Sequence, residues 1–212
     1  MGDSKKQVSF LTRALEIQEK HYGKDSYEIA FTLFHLANAS GEIGDFEKMK
    51  NLLTRSLQIV EKHHEEKPVG LILSRLAIAF KSTGDFKKQI DVLSRALKIS
   101  EKDLGIDHPK TGEILVKLGI AWRHLGNYEK QNDFFFRAFK INEKCYGEAH
   151  PETIKLKEIL EISLYEYWKK SEYHCSSKTS EQYSPKFVNP SMIKPQRVAS
   201  SSRSTFEVSR WI

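Results

Sequence analysis

The sequence predicts an all-α solenoid of stacked helix pairs, followed by a disordered tail. Three observations carry that prediction. A motif recurs with a period of about 42 residues: LTRALEIQEK at 11–20 returns as LTRSLQIVEK at 53–62, LSRALKISEK at 93–102 and FFRAFKINEK at 135–144, so Arg13, Arg55, Arg95 and Arg137 are spaced by 42, 40 and 42. A second marker, Gly44-Asp45-Phe46, Gly84-Asp85-Phe86 and Gly126-Asn127-Tyr128, keeps the same register with spacings of 40 and 42. Fixed periods of this length mark repeat architectures, in which a unit buries its apolar face only against its neighbours. Within a unit the apolar residues fall at helical intervals, as in Leu53, Leu57 and Val60 or Leu115, Leu118 and Trp122, with charges between them.

Each unit therefore reads as two helices. The Gly-Asp/Asn-aromatic step suits the bend inside a pair, because glycine accepts a left-handed backbone at a helix C-terminus and Asp or Asn caps the next helix. Pro68, Pro109 and Pro151 sit where a unit begins, at a first-turn position whose missing N–H costs nothing. Asp25 and Glu28 are placed for a capping box. Helices are predicted over 4–21, 26–41, 46–64, 68–83, 86–104, 109–125, 128–146 and 151–170. Gly2–Gln7 matches Gly84–Gln89, so the chain opens at the bend of a unit. The repeat domain, 1–170, then divides into a half repeat (2–25), repeats at 26–67, 68–107 and 108–149, and a capping helix at 151–170 closed by Ile159, Leu160, Leu164, Tyr167 and Trp168. An open half repeat exposes apolar side chains such as Leu11 and Ile17, a surface available for self-association. It also suggests the C-terminal piece, or a short isoform, of a longer repeat protein; a complete small protein with an irregular cap is the alternative.

Composition narrows the class further. The 212 residues are 39% hydrophobic and 29% charged with only 11 Gly and 6 Pro, which excludes collagen-like and mucin-like chains. The longest apolar stretch, Gly70–Phe80, is broken by Ser74 and Arg75 and falls short of the roughly 20 residues that cross a bilayer. No membrane partner is expected, and a start without an apolar signal core points to the cytoplasm. Cys145 and Cys175 lack metal-ligand spacing and read as reduced thiols. Net charge is +6. Residues 171–212 hold 11 serines and Pro185, Pro190 and Pro195, with 6 basic against 3 acidic residues, so they read as a disordered, Ser-rich basic tail. Within it Ser184 precedes a proline and Ser200 follows Arg197, patterns that suit phosphorylation.

No nucleotide-binding, zinc-hydrolase or serine-hydrolase motif occurs, and no catalytic residue, metal or cofactor is implied. Adjacent His63 and His64 point about 100° apart on a helix and do not share an ion easily. His108 and His150 precede prolines at equivalent positions, which is a signature of turn geometry. His174-Cys175 lacks a rigid frame for nucleophilic chemistry. The glycosylation pattern at Asn38-Ala39-Ser40 falls inside a predicted helix and should stay unmodified.

Leu115-x-x-Leu118-Gly119-x-x-Trp122-x-x-x-Gly126-x-Tyr128 resembles the tetratricopeptide (TPR) pattern, with Ala37 and Ala77 at the small position of the other units. The 42-residue length, the Arg-Ala-Leu-x-Ile-x-Glu-Lys ending and the Asp107-His108-Pro109 and Ala149-His150-Pro151 openings are similar to the longer kinesin-light-chain class. That resemblance implies a right-handed α-solenoid and a non-catalytic scaffold that binds an extended peptide along the first helix of each unit. The departures are Met49, Gln89 and Gln131 where a small residue is expected, which suggests a looser or altered twist, and Ser40 in place of an aromatic.

In the related class, two polar residues precede the Leu-Ala pair and face the peptide. The matching positions are Phe34-His35, Ser74-Arg75 and Val116-Lys117, so His35, Arg75 and Lys117 form a basic series. Asn38, Lys81, Arg123 and His124 continue the face. This ladder favours an acidic or phosphorylated protein segment, while Phe34 and Val116 serve either as apolar anchors or as inward packing. Two other readings stand beside it. The array could be the C-terminal sensor or regulatory part of a truncated signalling NTPase. Nucleic-acid binding is the weaker of the two, because the body carries only 28 basic against 25 acidic residues and no stacking aromatics join the basic series.

Overall fold

A computed structural model describes residues 2–175. Eight helices follow one another: α1 (Gly2–Tyr22), α2 (Glu28–Glu42), α3 (Phe46–Lys62), α4 (Val69–Ser82), α5 (Phe86–Asp103), α6 (Pro109–His124), α7 (Tyr128–Tyr146) and α8 (Pro151–Cys175). Residues 2–167 belong to one compact unit, and α8 runs on to Cys175. The last helix thus runs past the predicted end at 170, into residues that the sequence reading assigned to the tail. Ser184, Ser200 and the rest of the predicted tail lie outside the described residues.

From α1 to α7 each helix packs on the next in sequence, α2 also touches α4 directly, and α8 is tied to α7 by side-chain hydrogen bonds. The even-numbered helices make one layer and the odd-numbered helices the other. Buried Leu33, Leu53, Leu73 and Leu76 fill the N-terminal core, and Leu93, Leu115, Leu118 and Phe135 the C-terminal one.

The repeat markers now have physical roles. Gly44, Gly84 and Gly126 take φ of 83°, 77° and 74°, the left-handed turn needed inside each pair. Asp45, Asp85 and Asn127 then cap the following helix, accepting from the N–H of Lys48 (3.0 Å), Lys88 (3.2 Å) and Lys130 (3.0 Å). His108 and His150 are caps as well, their Nδ1 atoms accepting from the N–H of Lys110 (3.2 Å) and Glu152 (3.3 Å).

The other marker is an ion-pair ladder between units. Arg55 pairs with Glu19 at 2.5 Å, Arg95 with Glu61, and Arg137 with Glu101 at 2.8 Å. Two turns on, Lys62 pairs with Asp25 (3.1 Å), Lys102 with Glu66 (3.0 Å) and Lys144 with Asp107. The Arg and the Glu-Lys of the motif thus join each unit to the one before it.

Several expectations are corrected. Asp25 and Glu28 form no capping box: Tyr27 holds the cap position without a side-chain bond, Asp25 faces Lys62, and Glu28 accepts from Ser26. Pro68 stands one residue ahead of α4 and serves as its cap residue. Leu11 packs against the core, while Phe10 joins Ile17 as an exposed side chain of α1. In α8 the buried stripe runs through Thr153, Leu156, Leu160 and Ser163, with Ile159 and Tyr167 turned outward. A buried hydrogen-bond chain sets that phase: Gln131 Nε2 donates to Ser163 Oγ (2.8 Å), which donates to Asn132 Oδ1 (2.6 Å).

Met49, Gln89 and Gln131 are all buried. In the first unit Gly41 makes the room, because a Cβ there would stand 2.7 Å from the Met49 sulfur. Ser40 is fully buried and donates to the Leu36 carbonyl at 2.8 Å.

Candidate functional site

The even-numbered helices carry the predicted residues, and the units superpose in register through Ala37, Ala77 and Gly119. Alignment in that register gives four rows: Phe31, Leu71 and Glu113; His35, Arg75 and Lys117; Asn38, Ile78 and Ile120; Glu42, Ser82 and His124. The second row is exposed at all three positions. Among the described residues Arg75, Lys117, Lys81 and Arg123 enter no ion pair, whereas Arg55, Arg95 and Arg137 of the repeat motif are held by the ladder.

His35, Asn38 and Arg75 come together. With Gln7, Glu42 and Ile78 they line a hollow of about 390 Å³ between α1, α2 and α4, floored by Phe46 and Met49. Ser4 Oγ donates to Glu42 at its rim (3.0 Å). Asn38 is half-buried and Ser40 is inaccessible.

Lys81, Arg123 and His124 make a second group. Burial, and then the charges of Lys81 and Arg123, push the His124 imidazole below its ordinary value. Its ring lies flat on Phe86, with centroids 4.2 Å apart and planes 4° from parallel. Lys117 joins neither group by contact; it shares a stripe of α6 with His124, two turns away.

Phe34 is buried and Val116 packs against the core, so both turn inward. The apolar side chains beside the basic row are instead Phe31, Leu71 and Ile78, exposed at 50%, 54% and 40%. The sequence reading missed them, although the unit register that located His35 also pairs Phe31 with Leu71. Elsewhere, His63 contacts the Asp25 carbonyl (3.2 Å), and Cys145 is a free thiol donating to the Asp107 carbonyl. Among the described residues no cluster of His, Cys, Asp or Glu could hold a metal, and no helix is long and apolar enough to cross a membrane.

No protein-family profile matches the chain, and no curated protein matches it by sequence. Solved structures do match. A Podosopora anserina protein described as a kinesin light chain with nearly identical TPR-like repeats superposes with a TM-score of 0.69 at 19% identity, over 82% of this chain and 83% of that one. BtubC (BKLC) from P. vanneervenii gives 0.58 at 20% identity, over 77% and 66%. MamA from RS-1 gives 0.57 at 17% identity, over 82% of each. These structures share the fold, and the fold of this chain is a TPR-like α-solenoid.

Proposed function

We propose that the chain is a non-catalytic scaffold whose even-numbered helices receive an extended acidic segment of another protein. The observation that carries this reading is the contrast between two series of basic residues that both recur with the repeat. The basic residues of the ladder are neutralised by carboxylates, whereas His35, Arg75 and Lys117 repeat in register on the open face and meet none among the described residues. Exposed Phe31, Leu71 and Ile78 flank them, so the segment that fits carries apolar side chains beside its carboxylates. Arg75 grips a carboxylate through two parallel N–H groups. A Rap protein complexed with Competence and Sporulation Factor shares the fold, with a TM-score of 0.51 at 17% identity, and this chain covers 44% of it. That neighbour also supports the alternative of a sensor array.

Double replacement Arg75→Glu and Lys117→Glu should abolish capture of acidic peptides from a library by the full chain, while Phe31→Ser and Leu71→Ser weakens only peptides with apolar flanks. Unchanged capture by the charge-reversed protein sinks the assignment. A steep fall of nucleic-acid binding with salt, at affinities above those for peptides, would favour the RNA reading instead.

A further inference from the structure

The ends of α4 and α6 carry more positive charge than the fold requires. Lys81 lies in the last turn of α4, and Arg123 and His124 in that of α6. None of the three has an ion pair among the described residues. The carboxylate on the neighbouring element is already engaged: Asp85 caps α5 through the Lys88 N–H and meets Lys88 Nζ at 3.1 Å. The His124 ring is held in place by its stack on Phe86. Helix C-termini favour cations, but α2 ends in the same register with Gly41 and Glu42 and no basic residue in its last turn. Closing a helix here does not demand the charge.

We propose that Lys81, Arg123 and His124 form a binding site for a phosphate group carried on the segment that occupies the open face. The proposal deepens the reading above and rests on it only for the source of the phosphate. A phosphorylated side chain brings roughly −1.5 to −2 charges and three acceptor oxygens, which suits a guanidinium fork and an ammonium beside an imidazole that takes up a proton when the anion binds. His124 lies about 10 Å along α6 from Lys117, a gap that an extended segment covers in about three residues. The segment thus places an acidic side chain at Lys117 and a phosphorylated one some three positions away.

The test is an NMR titration of the full chain with inorganic phosphate, against sodium chloride at matched ionic strength, following the His124 ring protons. Saturable shifts specific to phosphate are expected, together with a rise in the His124 pKa as the bound anion favours the imidazolium. Lys81→Gln with Arg123→Gln should weaken phosphate about tenfold or more, whereas Arg75→Gln with Lys117→Gln leaves it within about twofold. Shifts equal to those in chloride, or a Lys81/Arg123 variant that binds as wild type, would overturn the site. Capture of unphosphorylated acidic peptides with His124 indifferent to phosphate removes the phosphate site and keeps the scaffold reading. Saturation at His124 without any peptide capture does the reverse.

Discussion

Gly119 sets the distance between α6 and α7. A Cβ at this position would meet two ring atoms of Phe135 at 2.5 Å and the Gln131 carbonyl at 3.2 Å. Backbone cannot yield as a flexible side chain does, so Gly119→Ala should destabilise the protein by about 1–3 kcal/mol even though alanine gains about 1 kcal/mol in helix propensity. The urea midpoint measures it, and Phe135→Leu in the same background should recover most of the loss. Gly41 offers an internal control: its Cβ would meet only the Met49 side chain, at 2.7 Å from sulfur, and a thioether adapts. Gly41→Ala should therefore be clearly milder, and equal losses at the two sites would refute the contact argument.

The helix ends show which features a sequence declares and which it conceals. Asp45, Asp85 and Asn127 cap through a bond three residues ahead, so the bends were legible from three adjacent letters. Asp85→Ala should cost about 1 kcal/mol. The Lys88 N–H holds the Asp85 carboxyl below the ordinary carboxylate range, with the Lys88 side chain and the Lys88 and Lys50 charges adding to the effect. A depressed carboxyl stabilises the fold above its unfolded value, so this contribution is present at neutral pH and fades as pH falls below about 4. Acid titration of the Asp85→Ala protein should accordingly converge on wild type; a constant difference down to pH 2 would contradict it. The phase of α8 was not legible, because Gln131, Ser163 and Asn132 choose it across two helices. Asp25 likewise looked like a cap, but its carboxylate is drawn to Lys62, 37 positions away. The candidate site divides in the same way. Register alone located His35, Arg75 and Lys117, whereas exposed Phe31 and Leu71 look like core residues until burial is known.

Across the whole molecule the outer ladder explains why the repeat announces itself in charged letters. Hydrophobic positions tolerate exchange among similar side chains, as Leu53, Leu93 and Phe135 show by filling one place in three units. An Arg that must reach a Glu in the preceding unit tolerates far less, since a guanidinium and a carboxylate match in shape as well as sign. The pairs themselves are partly or largely exposed, the Arg side chains at 33%, 50% and 48%, so each is worth less than about 1 kcal/mol and is screened by salt. Their value lies in register, because in a one-dimensional stack each interface contributes separately and a slipped unit loses its partner. Glu61→Arg should therefore lower the denaturation midpoint modestly at low salt by opposing Arg95, and Glu61→Arg with Arg95→Glu should recover it. The difference between single and double variant should shrink in about 1 M sodium chloride, where charges are screened beyond about 3 Å. A double variant no better than the single one, at any salt, would mean that the recurring Arg and Glu serve some purpose other than joining the units.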